Sequence, residues 1–494
     1  MPFLIENATL LVLALFILAL LGNFFLIGIV FHRRHRRKKL FKRVDAFRER
    51  YGPIVAGVLS GRLDYPGGLE ELRSISSPDR LSMLERVCLE RKVSPPEEAT
   101  LRRLCEDLGL VKIWQQRLMG QVDYASLRKA LFNPQGLLRR VKSLHFLIRS
   151  KSAENLGFVR HEASWPLLVK ALDDPNPDLQ VVAVRSLAAI HHPGSFLPLV
   201  DQLQKAVLDP ASNLSVRTLK SALVGFSLRS ASELRDSLRH TNPRIRFLAT
   251  DVMREIVERK ASGGPEFRLD STNFDDEMKE MFLTDLPIDE NPDVRARSAP
   301  VIAHFTDERA ASTLLKLLED PVWFVRLHAL RSFAGHRFLP YAARISNALT
   351  DTNWRVRETA VRTLRGFGQP GLDLLTTHFL STRDRYSREQ IADEFQRAGL
   401  VPVLLTRCTE TGNGRETAVL RHLAEMGKTS YMIAALENGT GNGKLRRGFL
   451  QLLGQSPDPQ IQQWVEQVAM KEADSDVRML AQEALADSRN RGER

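Results

Sequence analysis

The sequence predicts an all-α protein, an α-α superhelical solenoid of stacked helix pairs preceded by a single transmembrane helix. Three observations predict it. An uncharged apolar run extends from Asn7 to Phe31, and a dense cationic block follows it at once. From about Leu131 onward, a β-branched residue followed by arginine returns at intervals close to 31 residues. Such a period marks an array of small units that must stack to bury a shared core, not a set of independent domains.

The first element is the apolar run. Leu10 to Leu21 include no polar side chain, and a helix over residues 7–31 would be roughly 37 Å long, enough to cross a hydrocarbon core of about 30 Å with some tilt. A cleaved signal peptide needs basic residues before the run and a small-residue cleavage site after it, and neither is present. Arg33, Arg34, Arg36, Arg37, Lys38, Lys39, Lys42 and Arg43 follow the span, while Glu6 alone is charged before it. The positive-inside bias therefore predicts a single-pass protein of the plasma (inner) membrane, with its N-terminus outside and the remainder in the cytoplasm. Residues 1–6 are then a short extracytoplasmic tail, 7–31 the transmembrane helix and 32–43 a basic juxtamembrane segment. The cations of that segment, Arg33, Arg34, Arg36, Arg37, Lys38 and Lys39 among them, would attract anionic lipid headgroups.

This block also accounts for most of the charge. The chain carries a net +12, and residues 44–494 are left with only +5 once Glu6 and the eight cations at 33–43 are set aside. A mild excess over so many residues argues against a nucleic-acid-binding surface. The cysteines, Cys88, Cys105 and Cys408, are odd in number and lack C-x-x-C spacing. That predicts reduced thiols and neither a disulfide framework nor a zinc site.

Residues 44–130 read as helix, as in Pro96 to Leu118, without the repeat marker, and form an expected adaptor and cap. The array occupies 131–488, about ten helix pairs, with 489–494 expected as a disordered tail. Its marker arginines include Arg217, Arg246, Arg295, Arg326, Arg357, Arg388, Arg415, Arg446 and Arg478, with Gln180 where another would fall. In the unit from Ser312 to Gly335, Leu314, Leu315, Leu317 and Leu318 give one apolar stripe, Asp320-Pro321 breaks it, and Val325 to Phe333 form a second helix. Three residues after the marker stands a small side chain in many copies (Ala183, Ala249, Ser298, Ala329, Ala360, Ala418, Ala481). Four further on stands a large apolar one (Leu187, Met253, Ile302, Phe333, Leu364, Phe395, Leu453, Leu485). These spacings share one helix face, small where helices come close and large where a core needs filling.

An aspartate stands six residues before the arginine in Asp289/Arg295, Asp320/Arg326 and Asp351/Arg357. With that pair, the repeat resembles the HEAT repeats, particularly the short bacterial, phycobilin-lyase-type kind. The resemblance implies that these six residues form a structural ladder between consecutive repeats. Departures occur at Gln180, at His240 before Arg246 and at Glu472 before Arg478, so an unbroken ladder is expected only in the middle of the array.

The interval from Arg246 to Arg295 is 49 residues, which implies an insertion at about 261–286. Its acids, Asp275, Asp276, Glu277 and Glu280, form either a solvated loop with a short extra helix or an acidic rim for a basic partner or cation. Trp323 and Trp354 occupy matching places in adjacent repeats, as do Arg331 and Arg362. Each tryptophan covers its own turn, where other copies use proline, or the four make a ridge of the residue types enriched in interface hot spots.

No catalytic signature appears. Gly439 to Lys444 lacks the first glycine, the Ser/Thr and the preceding strand of a phosphate loop, and the lone His161-Glu162 pair cannot complete an iron site. The sequence therefore predicts a non-enzymatic scaffold or adaptor without cofactor or metal, binding partner proteins through its solenoid at the membrane. The resemblance adds a role as an accessory subunit of a cell-envelope system. The alternatives left open are a HEAT-type lyase or hydroxylase and a nucleic-acid-binding solenoid.

Overall fold

A proline loses nothing at the first position of a helix, where its missing amide proton would have no partner. An Asn or Asp just before that position supplies an acceptor that the early amides lack. The chain uses this device repeatedly. Asn176, Asn242, Asn291, Asn353, Asp384 and Asp458 each accept from the amide two residues on, and Pro177, Pro243, Pro292 and Pro459 open four of those helices.

The structure, a computed structural model, describes residues 2–76, 80–89, 93–121, 137–264, 267–333, 336–411, 414–437, 443–454, 456 and 458–492. Side chains are described from residue 22 on, apart from several within 23–41 and those at 82, 137–144, 336–337, 406–411, 435, 444 and 488–492. Among these residues the protein is all-α, and it divides into two compact units, Met1–Phe226 and Ser227–Arg494.

The first unit opens with α1 (Pro2–Leu59), whose buried side chains begin at Val44 and Phe47. It continues with α2 (Tyr65–Arg73), α3 (Arg80–Leu89), α4 (Glu98–Asp107) and α5 (Leu110–Leu118). Val55, Leu59, Leu72, Leu84, Leu101 and Trp114 are the buried centre of this segment. Then comes α6 (Leu137–Phe158), tied back by Asn155 Nδ2 donating to Glu85 Oε1 at 2.5 Å and Arg149 Nε to the Leu118 carbonyl at 3.0 Å. The pairs α7 (Trp165–Lys170) with α8 (Pro177–Ile190) and α9 (Phe196–Leu208) with α10 (Val216–Leu223) complete the unit. Helices α6 and α8 meet at Gly157, where an added Cβ would stand 2.6 Å from the Ser186 Cβ and 2.7 Å from its Cα.

The second unit is a run of eight described pairs. They are α11 (Arg235–Leu238) with α12 (Pro243–Ala261), α13 (Asp276–Glu280) with α14 (Pro292–Ile302), α15 (Arg309–Leu317) with α16 (Trp323–Ser332), and α17 (Ala342–Ile345) with α18 (Trp354–Arg365). There follow α19 (Gln369–Ser381) with α20 (Arg385–Arg397), α21 (Leu400–Thr411) with α22 (Gly414–Glu425), α23 (Thr429–Glu437) with α24 (Gly443–Leu453), and α25 (Pro459–Lys471) with α26 (Ser475–Gly492). Second helices pack on second helices in succession, α12 on α14, α14 on α16, α16 on α18 and α18 on α20. The face read from the spacing is the buried one. Ala249, Ser298, Ala329 and Ala360 are at most 1% exposed, and Met253, Ile302, Phe333 and Leu364 are fully covered.

Three expectations need restating. The stretch at 261–286 is not simply a loop with an extra helix. Leu269, Phe274, Met278 and Phe282 are buried, and α13, continued by a π turn over Met281–Asp285, is the first helix of its own repeat. The last helix runs to Gly492, into the tail expected to be disordered. Among the described residues no helix is long and apolar enough to cross a membrane. The apolar run at 7–31 lies within α1, but its side chains at 7–21, 23 and 26 are outside the described ones.

The close approach at Gly157 gives a prediction. Gly157→Val must push against the Ser186 backbone, and an overpacked core of this kind costs about 1–3 kcal/mol. Urea denaturation followed by circular dichroism should show that loss, while Gly157→Ala should lose less.

Candidate functional site

The turn before each second helix is built around an acceptor. Asp289, Asp320 and Asp351 each take the amide two residues on at 2.8 Å. Each also receives an arginine fork from the preceding repeat. Arg246 binds Asp289 at 2.7 and 3.0 Å, Arg295 binds Asp320 at 2.7 and 3.0 Å, and Arg326 binds Asp351 at 2.6 and 2.8 Å. The third guanidinium nitrogen turns back on the arginine's own turn, as when Arg295 donates to the Asp289 carbonyl at 2.7 Å and Arg326 to the Asp320 carbonyl at 2.8 Å. One arginine thus closes its own turn and grips the next.

The substituted positions keep part of this arrangement. His240 Nδ1 accepts the Asn242 amide at 2.9 Å, as an aspartate would, and Gln180 Nε2 donates to the Asp174 carbonyl at 2.8 Å, as an arginine would. Arg446 pairs with Glu472. Arg149 reaches Asp174 at 2.6 Å and belongs to the same series. Sequence reasoning passed over it, although Ile148-Arg149 carries the marker 31 residues before Gln180.

Arg357 is the exception in the middle of the array. Its Nη1 donates to the Asp351 carbonyl at 2.8 Å, but its Nε is buried without a partner. The place 25 residues on, which holds aspartate after Arg295 and Arg326, is Thr382. The threonine hydroxyl accepts the Asp384 amide at 3.2 Å, so the turn persists without a carboxylate.

At the start of the second helices, Trp323 and Trp354 do lie along one edge, and the cation between them is Arg355. Its guanidinium carbon stands 5.4 Å from each ring centroid, a favourable cation–π distance. Trp354 is 53% exposed, and Tyr386, one repeat on from Arg355, is 69% exposed. Arg331 and Arg362 lie elsewhere, near the ends of α16 and α18, and Arg362 pairs with Glu358. Arg355 was missed because it sits two residues before its marker, where other copies carry unlike residues.

A second polar cluster runs across the second helices. Buried Asp251 accepts from Arg254 at 2.8 Å and faces Arg297 Nε at 3.3 Å. His328 lies near the same groups. Burial pushes its pKa down to about 4, and the charges of Arg297, Arg331 and Arg254 add to the effect. Arg331 thus belongs with this cluster and not with the tryptophans.

The insertion's acids are largely answered within their own unit. Arg235 reaches Asp275 at 2.7 Å and Glu277 at 3.1 Å, and Arg309 reaches Glu280 at 2.7 Å. His161 contacts Ser164 and Glu106, while Glu162 receives Arg102. Among the described residues no three metal-ligating side chains gather. Arg34 and Lys38 are exposed on α1, whereas the side chains of Arg33, Arg36, Arg37 and Lys39 lie outside the described residues, as do residues 438–442 of the glycine-rich segment and the side chains of Lys444 and Cys408.

No protein-family model matches the chain, and no curated protein sequence is similar to it. Solved structures similar to it include an engineered protein, at 16% identity over 74% of this chain and 98% of that one, with a TM-score of 0.30. Kap95p, from a structure with RanGDP, matches at 11% over 86% of this chain, TM-score 0.38, and importin beta at 12% over 88%, TM-score 0.35. The chain spans 57% of the Kap95p chain and 64% of the importin beta chain.

Two predictions follow from the geometry. Asp320→Ala strands the Arg295 fork and opens the Val322 turn, and breaking a buried pair costs about 3–5 kcal/mol. Hydrogen exchange should accelerate in α14 and α16 more than in α25 and α26. His328 stays neutral in the fold, whereas an unfolded imidazole takes a proton near pH 6.5. Stability of the second unit should therefore fall as pH drops from about 6.5 toward 4, and His328→Asn should flatten that part of the urea-midpoint profile.

Proposed function

We propose that the protein is a membrane-held scaffold whose HEAT-like repeats bind partner proteins and carry out no chemistry of their own. The observation that carries this reading is the Trp323–Arg355–Trp354 edge. Tryptophan and arginine are the side chains that most often anchor protein interfaces, and here they project from turns fixed by buried forks. The turn aspartates of the central repeats are committed to structure. Asp289, Asp320 and Asp351 each hold an arginine and an amide, an arrangement suited to keeping a surface rigid.

Membrane attachment through 7–31 is part of the proposal. Its described portion leaves Phe24, Phe25, Ile27, Val30 and Phe31 between 63% and 71% exposed on α1, an apolar surface that calls for a nonaqueous neighbour. The exposed cations Arg34, Lys38, Lys42 and Arg43 follow, placed to meet anionic headgroups. In this reading the helix spans the plasma (inner) membrane once with its N-terminus outside, the repeats lie in the cytoplasm, and the partners belong to a cell-envelope system.

Alkaline carbonate extraction of membranes should leave the full chain in the pellet and release a variant lacking residues 1–31. Crosslinking in intact membranes followed by mass spectrometry should recover the same protein neighbours repeatedly, fewer of them with Trp354→Ala. Recovery of no reproducible neighbour would sink the scaffold reading.

A further inference from the structure

We propose that the ladder position missing between Arg357 and Thr382 is completed from outside, by the carboxylate of an acidic, extended segment of a partner protein lying across the Trp354–Arg355–Tyr386 edge. This rests on the scaffold reading and names the chemistry of what that surface takes.

The first support is the register. Arg295 and Arg326 each find a carboxylate 25 residues on, held at 3.0 Å or less by two nitrogens. Arg357 occupies the same place, and its own-turn bond to the Asp351 carbonyl at 2.8 Å sets its guanidinium as in its predecessors. Its Nε is nonetheless buried and unbonded. Leaving a charged donor desolvated and unmet costs free energy that an arriving carboxylate would recover. Thr382 keeps the turn through its hydroxyl, so the turn survives the loss of the acid while the Arg357 Nε lacks the acceptor its predecessors have.

The second support is the surrounding surface. Trp354 begins the helix that carries Arg357, and its carbonyl accepts Gln390 Nε2 from the following repeat at 3.3 Å, which brings α20 beside it. Exposed Trp354 and Tyr386 offer ring faces, and Arg355 lies against the tryptophan. From Thr382 to Glu389 there are three arginines, Arg383, Arg385 and Arg388, and two acids, Asp384 and Glu389, the second paired with Arg385 at 3.1 Å. Asp384 is occupied by the Tyr386 amide at 3.0 Å. Arg388 Nε is also buried without a partner. Arginines outnumber acids here, the Nε of Arg357 and that of Arg388 are both unmet, and the neighbouring side chains are aromatic. An Asp or Glu side chain enters such a place end-on, as Asp320 and Asp351 do in the preceding repeats.

The test uses the full chain in mild detergent at about 0.15 M salt, where weak surface attraction is screened. The probe is a dye-labelled (Asp-Glu)5 peptide followed by fluorescence anisotropy, with (Asn-Gln)5 as the neutral counterpart. Wild type should bind the acidic peptide and not the neutral one. Thr382→Asp, which supplies the missing carboxylate internally, should weaken binding about tenfold or more while the melting temperature stays level or rises, and Thr382→Ser should bind as wild type. Arg357→Gln keeps the single bond that Gln180 makes in its own repeat and loses the fork, so it should also lose the peptide with the helical signal unchanged. Trp354→Ala should weaken binding several-fold. Equal affinity of Thr382→Asp and wild type would overturn the proposal, and so would displacement of the peptide by an equimolar ten-residue oligothymidylate. Crosslinked partners that persist undiminished with Thr382→Asp would overturn this inference and leave the scaffold reading standing. Absence of any partner from wild type would remove the scaffold reading itself.

Discussion

The contact on which the central repeats depend is the two-pronged bond from an arginine on one second helix to the carboxylate in the next turn. A pair of short amphipathic helices cannot bury its apolar face alone and gains stability only by stacking. Apolar packing between such pairs is tolerant of sliding and rotation. The fork is not, because both oxygens of Asp289, Asp320 or Asp351 must meet two nitrogens held in one plane. It fixes the register that the hydrophobic contacts only favour.

The same aspartate also orders its own turn, and this explains how the repeat tolerates changes in sequence. His240, Thr382 and Glu472 replace aspartate and still accept an amide of the turn. Turn formation requires only a side-chain acceptor at that place, whereas coupling to the neighbour requires a carboxylate. The two roles separate, and the exposed edge near Trp354 is where they do so in the middle of the array.

Much of the fold was legible because its signals are periodic. The marker arginine, the small residue three later and the large one four beyond that locate the buried face of each second helix, and Met253, Ile302, Phe333 and Leu364 are buried there. Aperiodic features were harder to read. The first helix at Asp276–Glu280 was hidden in an acidic stretch, because its apolar partners Leu269 and Phe274 come from the preceding segment. Arg149 was passed over because the next marker position holds Gln180, which interrupts the run of arginines. At the candidate site, matching sequence positions aligned the two tryptophans, but the identity of the cation between them depends on side-chain reach. Arg355 folds back over Trp354 and toward Trp323, whereas Arg331 lies near His328 and Arg362 pairs with Glu358. Spacing alone does not encode that direction.

The absence of a carboxylate at Thr382 also has a mechanical consequence. Joints from α12 through α18 are each cross-tied at the turn by a charged fork, while the turn between α18 and α20 has none, and that joint is held by packing, by Gln390 to the Trp354 carbonyl and by Arg365 to Glu394 at 3.4 Å. Within this unit the turns are therefore unequally braced, and the turn at Thr382 has no fork to resist bending. A load transmitted along the repeats would meet its first unforked turn beside Trp354 and Tyr386, so grip and flexure share one location.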